Sequence, residues 1–263
     1  MKLSVVMPVY NERATLRAVV ERVIAVTPMD LELICVDDGS KDTSREILLQ
    51  LQSEHPEIRV LLQDRNMGKG AAIRRGIQEA SGDFVIIQDA DLEYDPEEIP
   101  QVIQPIIDGH ADVVYGSRFL VRKASRVLYF YHYLANKFLT FSSNLFTNLN
   151  MTDVETGYKA FRGDIIRSMN IDSRGFGFEI EVTAKIAKLK CAVYETPISY
   201  YGRTYAEGKK IGMTDGVIAF WLILRFNLFC SLESSFSERV DLKRDPANNA
   251  APVPTKGRTA GVP

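Results

Sequence analysis

The stretch Asp83-Phe84-Val85-Ile86-Ile87-Gln88-Asp89-Ala90-Asp91-Leu92-Glu93 decides the fold. Its apolar run has no polar alternation, which reads as a strand over 83–88 buried on both faces. Such strands belong to open parallel sheets, whose ligands bind beyond the strands' carboxyl ends. At that end stand two carboxylates one residue apart. In an extended segment residues i and i+2 point the same way, so Asp89 and Asp91 concentrate negative charge. Like charges this close repel unless a cation lies between them. Mg²⁺ or Mn²⁺ suits such all-oxygen ligands and commonly joins one or two carboxylates to substrate phosphates. Taken alone, the acid pair fits a solvated loop better than a metal site. The surrounding chain reverses that balance.

Outward from this strand, the first half alternates strand and helix. A strand over Leu3–Met7 is expected to end at Pro8, which removes a ladder donor. Pro8-Val9-Tyr10-Asn11-Glu12 then forms a loop, and Leu16, Val19, Val20, Val23 and Ile24 follow at helical spacing. A strand over Leu31–Val36 ends in Asp37-Asp38-Gly39-Ser40, and a third covers Ile58–Leu62. Asn66-Met67-Gly68-Lys69-Gly70 leads into a helix over Ala71–Ala80. It lacks the full phosphate-loop spacing, so ATP hydrolysis is rejected and its glycines read as turn and packing residues. A helix starts at Pro96, and a fifth strand over Asp112–Tyr115 ends in Gly116-Ser117-Arg118. Alternating strands and helices imply a doubly wound, mostly parallel, Rossmann-like α/β sheet. Each polar cluster falls at a strand's carboxyl end, so all line one crevice.

The second half is less regular. Val127–Leu149 is rich in aromatics and reads either as core or, with Arg122, Lys123, Arg126 and Lys137, as an interfacial surface at lipid headgroups. Asp153 to Tyr158 is a turn-like acidic segment. Asp153, Glu155, Glu179 and Glu181 each fit a structural role as well as a chemical one. Val217–Leu232 is a strongly apolar helix. The chain from Ser234 is polar and proline-containing and is read as a disordered tail. The expected organisation is one domain over 1–233, in two halves over 1–120 and 121–233, followed by the tail 234–263.

With 263 residues, 46% hydrophobic and 25% charged, one large globular domain is allowed, and a net charge of −2 gives no sign of nucleic-acid binding. The three cysteines have neither disulfide nor zinc-ligand spacing. No export-signal pattern is seen, which favours the cytosolic side of a membrane. No apolar stretch approaches the ~18 residues of a spanning helix.

The ordered set of Pro8-Val9-Tyr10-Asn11-Glu12, Val36-Asp37-Asp38-Gly39-Ser40, Asn66-x-Gly68-Lys69-Gly70 and Asp89-Ala90-Asp91 resembles the family 2 glycosyltransferases of the GT-A fold. Gly116-Ser117-Arg118, Thr156-Gly157-Tyr158-Lys159 and the Arg203 to Lys209 loop narrow the resemblance to the polyprenyl-phosphate sugar synthases of the dolichyl-phosphate mannose synthase type. The resemblance covers all but the tail. It implies a GT-A glycosyltransferase domain with helical C-terminal additions, in which the 1–120 half would take the nucleotide sugar and the 121–233 half the acceptor and lid. Pro8, Val9, Tyr10 and Glu12 would shape the nucleotide pocket, with Tyr10 against the base, and Val36 and Asp38 would contact base or ribose. Asp89, Ala90 and Asp91 would hold ribose, sugar and the metal. Glu93, where many relatives have glutamine, would be a third metal ligand. Arg118, Arg203 and Lys209 would neutralise the diphosphate or the acceptor phosphate, since arginine matches phosphate oxygens bidentately. The loop around Gly202 and Gly208 would close over substrate.

The implied reaction is metal-dependent and inverting. It moves a hexose, mannose from GDP-mannose first, to a polyprenyl (dolichyl-type) phosphate. A phosphate monoester with a second pKa near ~6 is already ionised and nucleophilic at pH 7, so no strong protein base is needed. This suits a crevice without a well-placed histidine. Alternatives are a UDP-glucose or UDP-N-acetylhexosamine donor, a saccharide acceptor, or a non-catalytic nucleotide-sugar-binding subunit. A lipid acceptor implies peripheral attachment at the cytosolic face, with a membrane partner protein as an open requirement.

Overall fold

The structure is a computed structural model, and it describes residues 1–27, 29–120, 129–175, 177–202 and 213–242. Among these, the strands are β1 (Lys2–Val9), β2 (Asp30–Asp37), β3 (Ile58–Leu62), β4 (Phe84–Ile87), β5 (Val113–Ser117), β6 (Lys159–Arg162) and β7 (Val193–Pro197). The helices are α1 (Leu16–Val26), α2 (Ser44–Glu54), α3 (Lys69–Glu79), α4 (Ile99–Ile107), α5 (Phe130–Thr147), α6 (Gly163–Ser168), α7 (Phe178–Leu189), α8 (Met213–Leu228) and α9 (Leu232–Ser235). The strands form one sheet in the order β3-β2-β1-β4-β6-β5-β7. β6 runs antiparallel to β4 and β5, and the remaining pairs are parallel. This is the mostly parallel α/β sheet expected from the sequence.

Both sheet faces are buried, as the uninterrupted apolar strands require. Side chains alternate across β1: Leu3, Val5, Met7 and Val9 pack with Leu16, Val19, Leu48 and Val102 of α1, α2 and α4. Val6 faces the other way, joining Ile34, Val36, Ile73, Ile77 and Val182 beneath α3 and α7. A third cluster, Leu139, Val154, Ile180, Ala219 and Ile223, packs α5, α7 and α8 together.

Three expectations are corrected. Pro8 does not end β1; it pairs with Val36 and the strand continues to Val9. The reason lies in which edge its nitrogen faces. Val6 accepts from Gln88 of the β4 side, and Pro8, two residues on, faces that side beyond the last β1–β4 pair. No ladder donor is therefore missing. Second, the second half, expected to be less regular than the first, supplies a strand inside the sheet, Lys159–Arg162. Third, the tail does not begin at Ser234. Ser235 is buried, Phe236 pairs with Met169, and Val240 and Leu242 pack against the second cluster. Residues 243–263 lie outside the described residues.

β1 stands between β2 and β4, so the chain reverses its direction of travel across the sheet there. A crevice opens at such a switch point. The carboxyl ends of β1 and β4 flank it, which places the Asp89 turn opposite the Tyr10 turn.

Candidate active site

The turn after β4 is fixed by its own polar groups. Gln88 Nε2 donates to the carbonyl oxygens of Asp89 (3.0 Å) and Tyr94 (3.4 Å). Leu92 adopts φ +59°, a left-handed conformation unusual for a branched residue. The Glu93 amide donates to Asp91 Oδ1 at 3.1 Å, closing an Asx turn. Asp89 and Asp91 therefore sit on a constrained hairpin of chain at the switch point.

Lys69, not assigned a role from the sequence, is ion-paired to this turn. Its Nζ is 2.9 Å from Asp89 Oδ2 and 3.3 Å from Glu179 Oε1 on α7. Burial opposes its charge, yet Asp89 and Glu179 hold it well above the ordinary lysine range. Its turn is anchored by Asp38, which accepts from the amides of Met67 (2.7 Å) and Gly68 (2.9 Å) and from Gln63 Nε2 (2.8 Å). Asp38 and Val36 are both buried, so these side chains serve the crevice through the turn and core they support. Gly68 has φ +97°, and a Cβ there would lie 2.3 Å from the carbonyl oxygen of Arg174. Glycine is what lets the Lys69 turn dock on the 172–175 loop.

Arg118, at the end of β5, was expected to face phosphate. Its Nε and Nη2 donate to Asp153 Oδ2 and Oδ1, both at 2.7 Å, in a parallel two-bond fork. The Arg118 amide donates to Oδ2 at 3.1 Å. Asp153 is wholly buried. Burial opposes its charge, but Arg118 keeps its pKa below the usual carboxylate range. The guanidinium carbon also lies 5.1 Å from the centre of the Tyr200 ring, an attractive cation–π geometry. Glu195 on β7 fixes the Asp153 backbone by accepting from the amides of Thr152 and Asp153.

The floor between these groups is aromatic and acidic. The Tyr94 ring packs on Tyr158 and Tyr200, each at 5.4 Å between centroids, and its hydroxyl accepts from the Gly157 amide at 2.9 Å. Tyr200 donates to Glu93 Oε2 at 2.8 Å. Glu155 is pushed up to about 7 by burial and by Glu179. Lys159, buried under the 154–156 turn and donating to the carbonyls of Val154 and Thr156, is lowered to about 8 by burial.

The structure thus brings Asp89, Asp91, Glu93 and Arg118 to one crevice. Pro8 and Tyr10 are half-buried at the end of β1 and Glu12 in the turn beyond it, while Val9 and Ala90 are buried. Ala90 contributes its carbonyl, which accepts from Thr15 Oγ1 at 2.7 Å. Arg203, Lys209 and Gly208 lie outside the described residues. Lys69, Tyr94, Lys159 and Tyr200 escaped sequence reasoning. For Lys69 one signal was available: a lysine between two glycines at the same sheet edge as the acid pair.

The donor set fits a divalent ion bound with the help of substrate. Among the described residues no three acidic, thiol or imidazole groups are gathered to hold a metal. Asp89 shares an oxygen with Lys69, and Glu93 is engaged by Tyr200. Of the expected Asp89, Asp91 and Glu93 set, an ion at this turn would take Asp91 with the remaining oxygen of Asp89 and be completed by phosphate oxygens and water.

The sequence model of glycosyl transferase family 2 matches residues 4–169. The chain is 31% identical over 217 residues to dolichol-phosphate mannosyltransferase of Pyrococcus furiosus, covering 81% of this chain and 60% of that protein. It is 38% identical over 173 residues to undecaprenyl-phosphate 4-deoxy-4-formamido-L-arabinose transferase of Photorhabdus laumondii, covering 64% of this chain and 51% of that protein. It thus spans half to three-fifths of these two relatives. Its fold resembles glucosyl-3-phosphoglycerate synthase of Mycobacterium tuberculosis, solved with Mn²⁺, UDP and glucosyl-3-phosphoglycerate. The TM-score is 0.64 at 20% identity, over 86% of this chain and 80% of that one.

Proposed function

Because the chain belongs to glycosyl transferase family 2, we propose that its crevice transfers a hexose from a nucleotide sugar to a polyprenyl phosphate. One observation carries this reading. An acid turn, Asp89 and Asp91, after β4 and a guanidinium, Arg118 locked by Asp153, after β5 converge at one edge of the mostly parallel sheet. A departing nucleoside diphosphate needs both: oxygen ligands for a divalent ion and fixed cations for its growing charge.

In this mechanism Asp91, with Asp89, would hold Mg²⁺ or Mn²⁺, whose charge would offset that of the departing diphosphate. Arg118 faces phosphate with its orientation already set by Asp153, so little reorganisation accompanies charge development. The acceptor phosphate is ionised at neutral pH and attacks the anomeric carbon from the opposite side, inverting it. Arg203 and Lys209 add cations to the diphosphate. Tyr10, Pro8 and Glu12 line the base side.

Lipid access is supported by the outer helices. Phe130, Tyr131, Phe141 and Leu145 of α5 and Val217, Ile218 and Trp221 of α8 are all exposed. An aromatic surface of this kind is suited to the headgroup region of a bilayer. No helix among the described residues is long and apolar enough to cross a membrane. Peripheral attachment through this aromatic surface, at the cytosolic face, is part of the proposal.

GDP-mannose is the first donor to test. The second reading is a different donor, UDP-linked or carrying a sugar other than mannose; the 38% identity to a formamido-arabinose transferase supports the change of sugar. The test offers purified protein, Mg²⁺ or Mn²⁺, radiolabelled GDP-mannose, UDP-glucose and UDP-N-acetylglucosamine, and a short polyprenyl phosphate in detergent. Label in the organic phase from one donor is the expected result. Nucleotide binding with no organic label from any donor refutes lipid-phosphate transfer and leaves a saccharide acceptor or a binding subunit.

A further inference from the structure

Two carboxylate oxygens stand out among the described residues. Glu155 Oε1 and Glu179 Oε2 are buried without a hydrogen-bond partner. Leaving a buried polar oxygen unsatisfied is costly, and both residues lie near Asp89. Lys69 Nζ bridges Asp89 Oδ2 and Glu179 Oε1. Glu155 is coupled electrostatically to Glu179. Two residues after Glu155 the chain touches the acid turn: a Cβ on Gly157 would lie 2.8 Å from Asp89 Oδ2 and 3.2 Å from Lys69 Nζ. Glu155 and Glu179 therefore stand behind the acid turn, within reach of Lys69 and the Gly157 backbone.

Their supports are rigid. Glu179 lies in the first turn of α7 between Phe178 and Ile180, each 1% exposed. Glu181, two residues on, accepts from the amides of Asp172 (2.8 Å) and Ser173 (2.7 Å), with Lys185 as its counter-ion. That buried pair pins α7 to the loop on which the Lys69 turn rests. Glu155 is fixed between Asp153, gripped by Arg118, and Gly157, gripped by Tyr94. The terminal torsion of glutamate is soft, so each carboxylate can turn an oxygen to an entering group without moving its backbone.

We infer that Glu155 and Glu179 form the subsite that reads the hydroxyl groups of the donor's sugar, with Lys69 donating beside them. The inference rests on the nucleotide-sugar reading above. Hexose hydroxyls are the matching donors: neutral, paired on adjacent carbons, and able to accept from Lys69 while donating to a carboxylate. Two acceptors on separate elements, the 152–158 turn and α7, set two directions. A sugar whose hydroxyl points elsewhere leaves an acceptor unpaired, which discriminates more strongly than apolar fit does.

The experiment is calorimetric and needs no turnover. Wild type, Glu155→Gln and Glu179→Gln are titrated in Mg²⁺ with GDP, GDP-mannose, UDP and UDP-glucose. The readout is the ratio of Kd for the diphosphate to Kd for its sugar conjugate. Glutamine keeps the shape, and near-ultraviolet circular dichroism checks packing. Each variant is expected to lower this ratio about 5-fold or more for the preferred donor, the scale of one net hydrogen bond, with diphosphate affinity within about 2-fold. A monodeoxy donor lacking the hydroxyl read by that carboxylate should lose affinity to wild type and lose no more to the variant. Unchanged ratios in both variants, or equal losses for diphosphate and conjugate, overturn the subsite. If wild type binds neither diphosphates nor conjugates, the nucleotide-sugar reading itself falls, and the subsite with it.

Discussion

Replacing Asp153 by asparagine tests the core of the site. Asp153 is wholly buried and takes two 2.7 Å bonds from Arg118, whose side chain is only 12% exposed. The substitution keeps the shape but removes the charge and sets an amide against the guanidinium. Breaking a buried pair by removing one partner costs about 3–5 kcal/mol. Asparagine retains one acceptor, so about 3 kcal/mol is expected, a large fraction of the ~5–15 kcal/mol that holds a domain. Urea unfolding followed by circular dichroism should show a midpoint lower by about 1 M or more at unchanged slope. The double variant Arg118→Met, Asp153→Leu removes both charges, and its stability should return to within about 1 kcal/mol of wild type, because apolar groups of similar volume carry no desolvation cost. Its transfer activity should nevertheless be lost, since the cation facing phosphate is gone. A single variant within about 0.5 kcal/mol of wild type, a loss smaller than one ordinary hydrogen bond, would refute the buried-pair argument. Retained transfer in the double variant would refute the role of Arg118.

Three further outcomes follow from the geometry. Asp91→Asn should reduce Mn²⁺-dependent transfer at least about 100-fold, or roughly 3 kcal/mol of transition-state stabilisation, whereas Glu93→Gln, whose carboxylate bonds Tyr200, should cost less than about 10-fold; equal losses would restore Glu93 as a ligand. Gly68→Ala places a Cβ 2.3 Å from a backbone oxygen at φ +97°, so thermal unfolding should show a loss of at least about 2 kcal/mol, while Gly216→Ala, in open space on α8, should gain about 0.5–1 kcal/mol. Glu155 is raised from 4.5 to about 7, so its contribution is complete below its unfolded value and is lost as pH rises to 7, at most about 3 kcal/mol at 1.36 kcal/mol per unit. Lys159, lowered from 10.5 to about 8, acts in the separate window where stability is lost as pH falls from 10.5 to 8. Glu155→Gln should therefore raise the urea midpoint relative to wild type more at pH 8 than at pH 5; parallel pH profiles would count against the shift.

What the sequence determined by itself was local and periodic. Uninterrupted apolar runs ending in polar clusters specified strands buried on both faces and a crevice at their carboxyl ends. Phe84–Ile87 with Asp89 and Asp91 is the clearest case, because chemistry and strand end are adjacent in the chain. The tertiary structure decided the pairings between segments far apart in sequence. β6 is only four residues long, and it becomes a strand because β4 and β5 offer it two edges. Pro8 stays in β1 because its nitrogen faces beyond the last β4 pair. The 234–242 segment is ordered by the Met169 edge and the second core cluster, which no local periodicity announces. The charges followed the same rule. Sequence could name Arg118, Asp153, Glu155 and Glu179 as chemical residues, but it could not tell which carboxylate would be spent on Arg118, which would bridge to Lys69, and which would be left with an unpaired oxygen. Those roles depend on where α7 and the 152–158 turn dock on the sheet edge, and a buried charge takes its properties from the groups that surround it in space.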